Sequence, residues 1–295
     1  MSRASELADV WNASSLEAPY SYAVSPSEFE DRIRPVDDDD ESYATSKSQT
    51  LLVATSGSAP VGFAHLCSAD AIEVDGEVIA CGVIRSMAFF PDREDVGRTL
   101  LDESERTFRG DGHDHVDAYP LYYGYAFHNY KVGLLSDRLT HITQVLRTCN
   151  YEPHDPQLTM ERPISEEPLP QPRSDIDILV ERTEGSGSRI DIQVRGLIDG
   201  ERIGAVRTMS GYRYAQQAVL HDCGYTRWVG VSEKNRRKGI ARHLLKRALH
   251  ELDQEGYTVG RLNVREKNRI AYDLYLSEGY AVGDRSAAYV KDLGA

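Results

Sequence analysis

The sequence lacks the features that mark several large classes of protein. Its four cysteines stand apart at positions 67, 81, 149 and 223, without the C-x-x-C spacing of a disulfide framework or a zinc site. No apolar run approaches the roughly 18 residues of a membrane-spanning helix, and no signal peptide is recognisable. Neither a P-loop pattern nor a G-x-G-x-x-G turn after a strand occurs. These absences favour a chain of the reducing cytoplasm, without a metal site.

Positive charge is also scarce. Lysine and arginine together number 34 against 47 acidic residues, which gives a formal net charge of −13. Nucleic acids and anionic membranes are polyanions, so this charge disfavours both as partners. The run from Asp37 to Glu41 predicts an exposed acidic loop. An acidic, lysine-poor surface suits a salt-rich cytoplasm, and an ordinary soluble protein with one acidic loop is an equal alternative.

The chain is long enough for two domains of ordinary size. Its 295 residues contain four prolines between positions 163 and 172, together with Glu166 and Glu167. This composition favours an extended linker over a packed element. We therefore expect an N-terminal domain at 1–162, a linker at 163–173 and a C-terminal domain at 174–295.

Both halves of the chain show the same order of elements. Each predicts a hairpin and then a strand that leads into a helix; the hairpin strands are 51–54 with 61–64, and 190–194 with 203–206. The second hairpin turns at Asp199-Gly200. The separation from Gly62 to Gly97 is 35 residues, as is that from Gly204 to Gly239. The sequence therefore predicts an α/β (α+β) fold of two tandem copies, each a mixed, mostly antiparallel sheet flanked by helices.

A basic turn precedes the helix of the second copy. The run Arg236-Arg237-Lys238 leads into Gly239, Ile240, Ala241 and Arg242. Apolar residues then recur at helical spacing, so one helix face would pack on the sheet while the N-terminus stays open. Open N–H groups, small residues and cationic side chains at that point predict a site for a phosphate or pyrophosphate.

The corresponding turn of the first copy is acidic. In the register of the two glycine pairs, Glu94 and Asp95 take the positions of Arg236 and Arg237. A register shifted by two residues puts Asp92 at Arg236 and Asp95 at Gly239. A like-charge contact costs on the order of 1 kcal/mol even when screened. Both registers therefore predict that the N-terminal copy has lost the anion site.

Two motifs of the second half, in this order, resemble the Gcn5-related N-acetyltransferase (GNAT) superfamily. The first matches the family's R/Q-x-x-G-x-G/A turn, which grips the pyrophosphate of acetyl-CoA, and reads Arg236-x-x-Gly239-x-Ala241. The second matches the helix beside the pantetheine and thiol, and reads Asn268-x-x-Ala271-x-x-Leu274-Tyr275-x-x-x-Gly279-Tyr280. The resemblance implies acetyl-CoA as co-substrate and no metal. The alternative is a basic loop followed by two ordinary amphipathic helices.

The resemblance also implies roles for individual residues. Backbone N–H groups of Val229, Gly230 and Val231 would bind pantetheine and polarise the thioester carbonyl. The turn from Arg236 to Arg242, which includes Lys238 and Ile240, would hold the pyrophosphate. Asn268 would tie the cofactor arm to its helix, or simply cap that helix. Tyr275 is the candidate general acid for the leaving thiolate, with a core tyrosine as the alternative.

The general base is not determined by the sequence. Family members often carry a glutamate on the strand before the turn, where this chain has Tyr225 and Thr226, or on the next strand, where it has Asn263. Asp222, His221 and Tyr225 remain candidates, directly or through water. The asparagine also argues against close kinship with the ribosomal-protein alanine acetyltransferases.

We therefore expect an acetyl-CoA-dependent N-acetyltransferase whose C-terminal domain acts on a small-molecule or peptide amine. Transfer of another acyl group, transfer to a hydroxyl and a non-catalytic acyl-CoA sensor are the alternatives. Too few residues separate the linker from the 190–194 strand for the two helices that usually frame the family's acceptor site. The aromatic segment 119–130 would supply that wall, or else belongs to the core or to a homodimer contact.

Overall fold

The chain forms two compact units in the computed structural model, which describes residues 3–33, 47–74 and 77–294. Unit 1 comprises Met1–Gln157 and Asp284–Ala295, and unit 2 comprises Leu158–Gly283. Each is a mixed α/β unit with a mostly antiparallel, twisted sheet flanked by helices, as predicted. The acidic run from Asp37 to Glu41 lies outside the described residues.

Unit 1 contains the first copy of the fold. Its elements are α1 (Arg3–Ser14), α2 (Pro26–Ile33), β1 (Lys47–Ser56), β2 (Ala59–Val74), β3 (Glu77–Phe89), α3 (Glu94–Gly110), β4 (His115–Ala118), β5 (Leu135–Ser136), α4 (Thr140–Thr148) and the first part of β6 (Glu152–Pro163). Strands β1, β2 and β3 pair antiparallel, and β4 adds parallel to β3. The chain's final strand, β12 (Ala281–Asp292), pairs through residues 289–292 with β4.

The aromatic residues of segment 119–130 are core residues of unit 1. Tyr119, Tyr125, Phe127 and Tyr130 are at most 1% exposed. The rings of Tyr125 and Phe127 pack against Trp11, with centroids 5.9 and 5.0 Å away. This packing agrees with the alternative that the aromatic residues of the segment belong to the core. The acceptor-side role of the N-terminal domain stays a prediction.

Unit 2 contains the second copy. Its elements are β7 (Asp177–Glu184), β8 (Ile190–Ile198), β9 (Glu201–Ser210), α5 (Ala218–His221), β10 (Cys223–Val231), α6 (Ile240–Gln254), β11 (Val259–Arg265) and α7 (Arg269–Ser277). Strands β7 to β10 pair antiparallel in sequence order, and β11 adds parallel to β10. Helices α6 and α7 share one apolar core with the sheet.

The hairpin, the strand that leads into the long helix, that helix, and the strand and helix after it recur in the same order in both copies, whereas α1 and α2 of unit 1 have no counterpart in unit 2. The glycine spacing, however, was misleading at the helix. Gly239 is the N-cap of α6 with φ +75°, whereas Gly97 lies inside α3, where an added Cβ would come 2.5 Å from the Phe89 ring. Packing gives the register instead. In unit 1 an added Cβ on Gly82 of the strand would meet Phe108 of the helix, and in unit 2 an added Cβ on Gly224 would meet Leu252. Phe108 and Leu252 therefore occupy equivalent positions on their helices, and they are 144 residues apart in the sequence. The helices therefore correspond in the register that puts Asp95 at Gly239.

The proline-rich segment 164–173 contains neither helix nor strand and is held against α6. The N–H of Glu167 donates to Asp253 Oδ2 over 3.1 Å, and His250 Nδ1 lies 2.7 Å from the Glu167 carbonyl oxygen. Its last residue, Arg173, donates through Nη1 to the carbonyl of Lys238 over 2.8 Å. The backbone of Glu166 is left-handed, with φ +52°, and the segment supports the basic turn through Arg173. The domain boundaries at 162 and 174 stay a prediction.

Across the three described ranges, no helix is both long and apolar enough to span a membrane.

Candidate functional site

The site of unit 2 begins where two parallel strands separate. Strands β10 and β11 are paired from Cys223 with Val259 to Thr226 with Leu262, and both continue beyond that point without further pairing. On its other side, β10 has a bulge at Arg227, because Thr226 pairs with Thr208 while Trp228 pairs with Arg207. The result is a cleft between the ends of β10 and β11, with irregular backbone at its closed end.

The residues that follow the bulge alternate between the two faces of the sheet. Val229 and Val231 pack on the apolar core that contains α6 and α7. The Trp228 ring is on the other face, where it lies so close over Gly230 that a Cβ there would come 2.1 Å from it. No side chain of the described residues bonds to the N–H of Val229 or Val231. These N–H groups can therefore bond to a ligand wherever the strand ladder leaves them unused.

The N-terminus of α6 is uncapped. Gly239 and Arg237 both adopt the left-handed conformation, with φ of +75° and +63°. The N-cap Gly239 has no side chain, and the N–H groups of Ile240, Ala241 and Arg242 lie in the first turn, where a helix provides no acceptor. The turn therefore presents convergent N–H groups and the positive end of the helix dipole, which suits an anion.

The cationic side chains of the turn divide into those that shape it and those that are available to a ligand. Arg236 Nε donates to the Val231 carbonyl over 3.2 Å, and Lys238 Nζ donates to Asn235 Oδ1 over 3.1 Å. Arg242 donates to Ser277 over 2.8 Å and pairs with Glu278 at 2.8 Å, which ties α6 to the end of α7. Arg237 makes no ion pair or side-chain hydrogen bond with the described residues. It is thus the cation most available to an incoming anion.

Asn268 and Tyr275 lie at the two ends of α7. Asn268 is the N-cap, and its side chain accepts the N–H of Ala271 over 3.3 Å, which is the capping alternative. Tyr275 is 7% exposed and packs edge-on against Tyr280 with centroids 5.8 Å apart. Its hydroxyl makes no hydrogen bond with the described residues. Burial raises the pKa of Tyr275 to about 12, so the phenol is protonated at neutral pH.

The three base candidates, Tyr225, Asp222 and His221, occupy different environments. Tyr225 is 2% exposed at the closed end of the cleft, where its hydroxyl donates to Asn263 Oδ1 over 2.8 Å. Asn263 in turn donates to Thr159 over 2.8 Å. Asp222 precedes β10, with its side chain 57% exposed and Oδ1 3.2 Å from His221 Nδ1. Four residues of extended strand place it about 13 Å from Thr226.

Unit 1 has the same bulge, but the groups beside it are already bonded. His65 pairs with Ser86 and Leu66 with Ile84, which leaves Arg85 as the bulged residue, 142 positions before Arg227. The N–H of Met87 donates to the Tyr119 hydroxyl over 3.1 Å, and the N–H of Phe89 to Ser14 Oγ over 3.4 Å. Met87 and Phe89 correspond to Val229 and Val231.

The helix N-terminus of unit 1 is acidic as well. Glu94 and Asp95 form the first turn of α3, and Asp95 pairs with the N-cap Arg93 at 2.9 Å. This pairing with Arg93 lowers the pKa of Asp95, so its negative charge persists at neutral pH. An anion would meet like charge there.

Three features of these sites were missed by the sequence analysis. Ser14, at the end of α1, bonds to a strand N–H of unit 1 from 75 residues away. Arg173 reaches the basic turn from 65 residues away. Trp228 faces away from the apolar core, and the bulge that sets its direction leaves no mark in the sequence. Within the described ranges, no three His, Cys, Asp or Glu side chains converge as metal ligands.

Comparison with known proteins gives one family and several similar structures. The acetyltransferase (GNAT) family matches residues 157–280. A search of curated proteins finds no match. A tandem GNAT protein from the clavulanic acid biosynthesis pathway has a TM-score of 0.69 at 11% identity, with 99% of this chain and 95% of that one covered.

Two further structures have the same fold. A GCN5-related N-acetyltransferase from Sphaerobacter thermophilus has a TM-score of 0.64 at 14% identity, with 99% of this chain and 94% of that one covered. A GCN5-related glucosamine N-acetyltransferase region of a fungal multi-domain GH3 β-N-acetylglucosaminidase has a TM-score of 0.65 at 16% identity and matches 96% of this chain. This chain covers 36% of that larger protein. At these identities the likeness shows the fold alone.

Proposed function

Residues 157–280 of this chain belong to the GNAT acetyltransferase family, and on that basis we propose that unit 2 transfers an acetyl group from acetyl-CoA to an amine. The family supports acyl-CoA-dependent acyl transfer in general. The acetyl donor, the amine acceptor and the residue roles are our proposal. One observation carries it: in unit 2 a helix N-terminus with three preceding cations lies beside strand N–H groups that no described side chain occupies, whereas in unit 1 that helix turn is acidic and the strand N–H groups are bonded to side chains.

The residues present fit acetyl-CoA as co-substrate. The uncapped N–H groups of Ile240, Ala241 and Arg242 would donate hydrogen bonds to its pyrophosphate, with Arg237 as counter-charge. Gly239 suits this turn because its backbone is left-handed, and the atom nearest to an added Cβ is Arg173 Nη1 at 3.5 Å. Val229 and Val231 would offer N–H groups to the pantetheine. When bound, acetyl-CoA supplies the activated thioester.

Acyl transfer to an amine needs one proton to leave the amine and one to reach the thiolate, and we assign these two transfers to opposite faces of the cleft. Tyr275 packs in the core on the α6 and α7 face, together with Val229 and Val231. Its phenol is protonated and unpaired, so it can donate a proton to the leaving thiolate from that face. The opposite face carries Tyr225 and Trp228. An amine that approaches over that face would add to the thioester carbonyl carbon from the side away from Tyr275, and the thiolate would leave as the resulting tetrahedral adduct collapses.

The base remains the least determined role. We propose that the Tyr225 hydroxyl, which donates to Asn263, also contacts the amine or a water at the bulge. Asp222 is too far along the strand for direct contact with an amine at the bulge. We propose that Tyr225 orients the amine. The proton of the amine then leaves through water, and Asp222 is its remote acceptor.

A short acyl group fits the closed end of the cleft. The hydrogen bond of Tyr225 with Asn263 lies where β10 and β11 come together, and Tyr214 packs on Tyr225 with ring centroids 5.2 Å apart. A longer chain directed toward that end would have to displace buried, hydrogen-bonded groups. This favours acetyl over longer acyl groups, and rates with acetyl-, propionyl- and butyryl-CoA compare them directly.

Calorimetric titration of acetyl-CoA tests the site. We expect wild type to bind one equivalent, and the double variant Arg236→Glu with Gly239→Asp to lose binding through charge reversal at the helix N-terminus. Arg93→Ala, at the N-cap of α3 in unit 1, is the matched control and should leave affinity unchanged. Two equivalents, or one equivalent retained by the double variant, would show that acetyl-CoA binds elsewhere.

Thiol release then separates an enzyme from a sensor. A transferase releases coenzyme A steadily when an amine is added, whereas a sensor binds acetyl-CoA without turnover. A panel of primary amines and matched alcohols, assayed for free thiol, distinguishes N-transfer from transfer to a hydroxyl. If binding is present and no member of a broad panel gives turnover, the sensor alternative is correct.

A further inference from the structure

The sheet face of unit 2 opposite α6 is open. The side chains of Ile192, Val194 and Val206 on β8 and β9 pack into the core with α6. Their neighbours along the strands point the other way and form two rows across β7, β8, β9 and β10, set by the strand pairing. The rows are Glu181, Gln193, Arg207 and Trp228, and Leu179, Arg195, Ala205 and Gly230.

Trp228 is the most unusual residue of this face. Its side chain is 51% exposed, and Leu179 at the other end of the face is 42% exposed. The indole N–H donates to no described residue, and the ring makes no aromatic contact among them. Tryptophan buries a large apolar area in most folded proteins. An exposed indole that lies close to Gly230, beside the bulge, is therefore available for contact with a partner outside the core.

In unit 1 the corresponding sheet face has only a structural role, and its exposure can be compared residue by residue. The residues that correspond to Trp228, Arg207 and Ala205 are Ser86, His65 and Phe63, each 142 positions earlier. All three are buried, at 0%, 5% and 0% exposure. The Phe63 ring packs on Phe29 with centroids 5.6 Å apart, and His65 Nδ1 lies 2.9 Å from the Tyr125 hydroxyl. The first copy thus buries all three positions, whereas in the second copy Ala205 is buried and Arg207 and Trp228 are exposed.

The charge of the open face is opposite to that of the chain as a whole. Arg207 is exposed and lies directly across from Trp228 in the sheet. Glu181, the carboxylate among the eight residues of the two rows, is paired with Arg195 at 2.8 Å. Arg227 occupies the bulge beside Trp228. Arg207 and Arg227, each of which also interacts with another group of the protein, therefore place two positive charges beside the exposed indole in a protein of net charge −13.

We propose that this face binds the acyl acceptor, and that the acceptor is an amine that also carries an anionic group and a flat apolar body. The apolar body would stack on Trp228, and its carboxylate or phosphate would bind Arg207. The amine would then reach the bulge and Tyr225. The inference rests on the proposed acetyl transfer and adds the class of acceptor to it. The net charge of −13 would by itself attract a cationic acceptor, so the local charge of this face decides the class instead.

Fluorescence tests the face without requiring turnover. Trp11 and Trp228 are the two tryptophans, so Trp11→Phe leaves Trp228 as sole reporter. L-phenylalanine and L-phenylalaninamide are matched probes that share amine and ring and differ in the carboxylate. With coenzyme A present, we expect L-phenylalanine to protect Trp228 from iodide quenching saturably, and the amide to need about tenfold higher concentration.

The variants assign this preference to one side chain. Arg207→Gln should remove the difference between the two probes, and Arg202→Gln, at the exposed start of the same strand, should preserve it. Equal protection by both probes, or protection by neither, would overturn the proposal. Protection that rises with protein concentration alone would show a second copy on this face and would overturn it too.

Thiol-release kinetics connect the face to acyl transfer. We expect kcat/KM for L-phenylalanine to exceed that for the amide, and Arg207→Gln to lower it about tenfold for the acid while changing the amide less than twofold. Calorimetry should give unchanged acetyl-CoA affinity for this variant. A higher kcat/KM for the amide than for L-phenylalanine would reject an anionic acceptor and leave acetyl transfer to an amine in place. The absence of thiol release with every amine rejects acetyl transfer itself, and with it an acceptor role for this face.

Discussion

Tyr275 illustrates how one residue combines packing and chemistry. Its ring belongs to the apolar core of unit 2, and burial raises the pKa of Tyr275 to about 12. For Tyr275→Phe we expect kcat to fall about 10- to 100-fold, because the thiolate loses its proton donor while the ring packing is kept. Stopped thiol-release assays measure this effect.

Two controls separate the acid role from a purely structural one. Acetyl-CoA affinity and the free energy of unfolding should be unchanged in Tyr275→Phe. Wild-type activity should not fall through ionisation of this phenol below about pH 10, since a pKa near 12 keeps it protonated. A variant with full kcat would make Tyr275 a core residue alone.

His128 makes unit 1 sensitive to acid. The ring is 1% exposed, neither nitrogen has a hydrogen-bond partner among the described residues, and burial lowers the pKa of His128 to about 4. An unfolded histidine titrates near 6.5. The unfolded state therefore binds more protons than the native state below that pH, and the stability present above about pH 6.5 is lost as the pH falls toward 4.

Replacing the ring tests this linkage. For His128→Phe we expect the loss of unfolding free energy between pH 7.5 and 4.5 to shrink by about 2 kcal/mol relative to wild type. Phenylalanine should keep the packing on Trp11, whose ring centroid is 5.4 Å away. Urea unfolding at both pH values measures it, with His115→Phe on β4 as control. Equal acid sensitivity of wild type and His128→Phe would contradict the assignment.

At the scale of elements, the proline-rich segment supports the start of α6. Arg173 donates to the Lys238 carbonyl over 2.8 Å and is itself held by Asp175 at 2.7 Å. For Arg173→Ala we expect the Kd for acetyl-CoA to rise about 3- to 10-fold, because the turn loses a bond that orders its N–H groups. Calorimetry of this variant beside Arg202→Ala measures the effect. Equal affinities of the two variants would assign Arg173 to the surface alone.

The sequence predicted those elements whose signals are local. Glycine and three cations before Ile240 determine a turn within a few residues, and Asn268 starts α7 with its own side chain. The contacts of Ser14 and Arg173 join residues far apart in the chain, and no periodicity encodes such contacts. The direction of Trp228 depends on a single bulged residue, which shifts a strand's alternation without altering its composition.

At the scale of the molecule, the division of the chain into two units depends on which unit contains the last strand. The sequence predicts that residues 174–295 form one domain, whereas residues 284–292 are part of unit 1, where they pair with β4 and β5. Ala287 and Tyr289 are fully buried in the core of that unit. Val282, five residues before Ala287 on the same strand, is 43% exposed and belongs to unit 2. The two divisions make opposite predictions for a charge on this strand.

We expect Ala287→Asp to destabilise unit 1 by about 3 kcal/mol or more, because an unpaired carboxylate enters an apolar core. Trp11, 3% exposed in unit 1, reports this as a lower urea midpoint of its fluorescence in a Trp228→Phe background. Acetyl-CoA affinity, a property of unit 2, should stay unchanged, and Val282→Asp should change neither quantity. If residues 174–295 instead fold as one domain, Ala287→Asp would abolish acetyl-CoA binding and leave the Trp11 transition in place. The same variant thus shows whether the final strand belongs to the first copy of the fold or to the second.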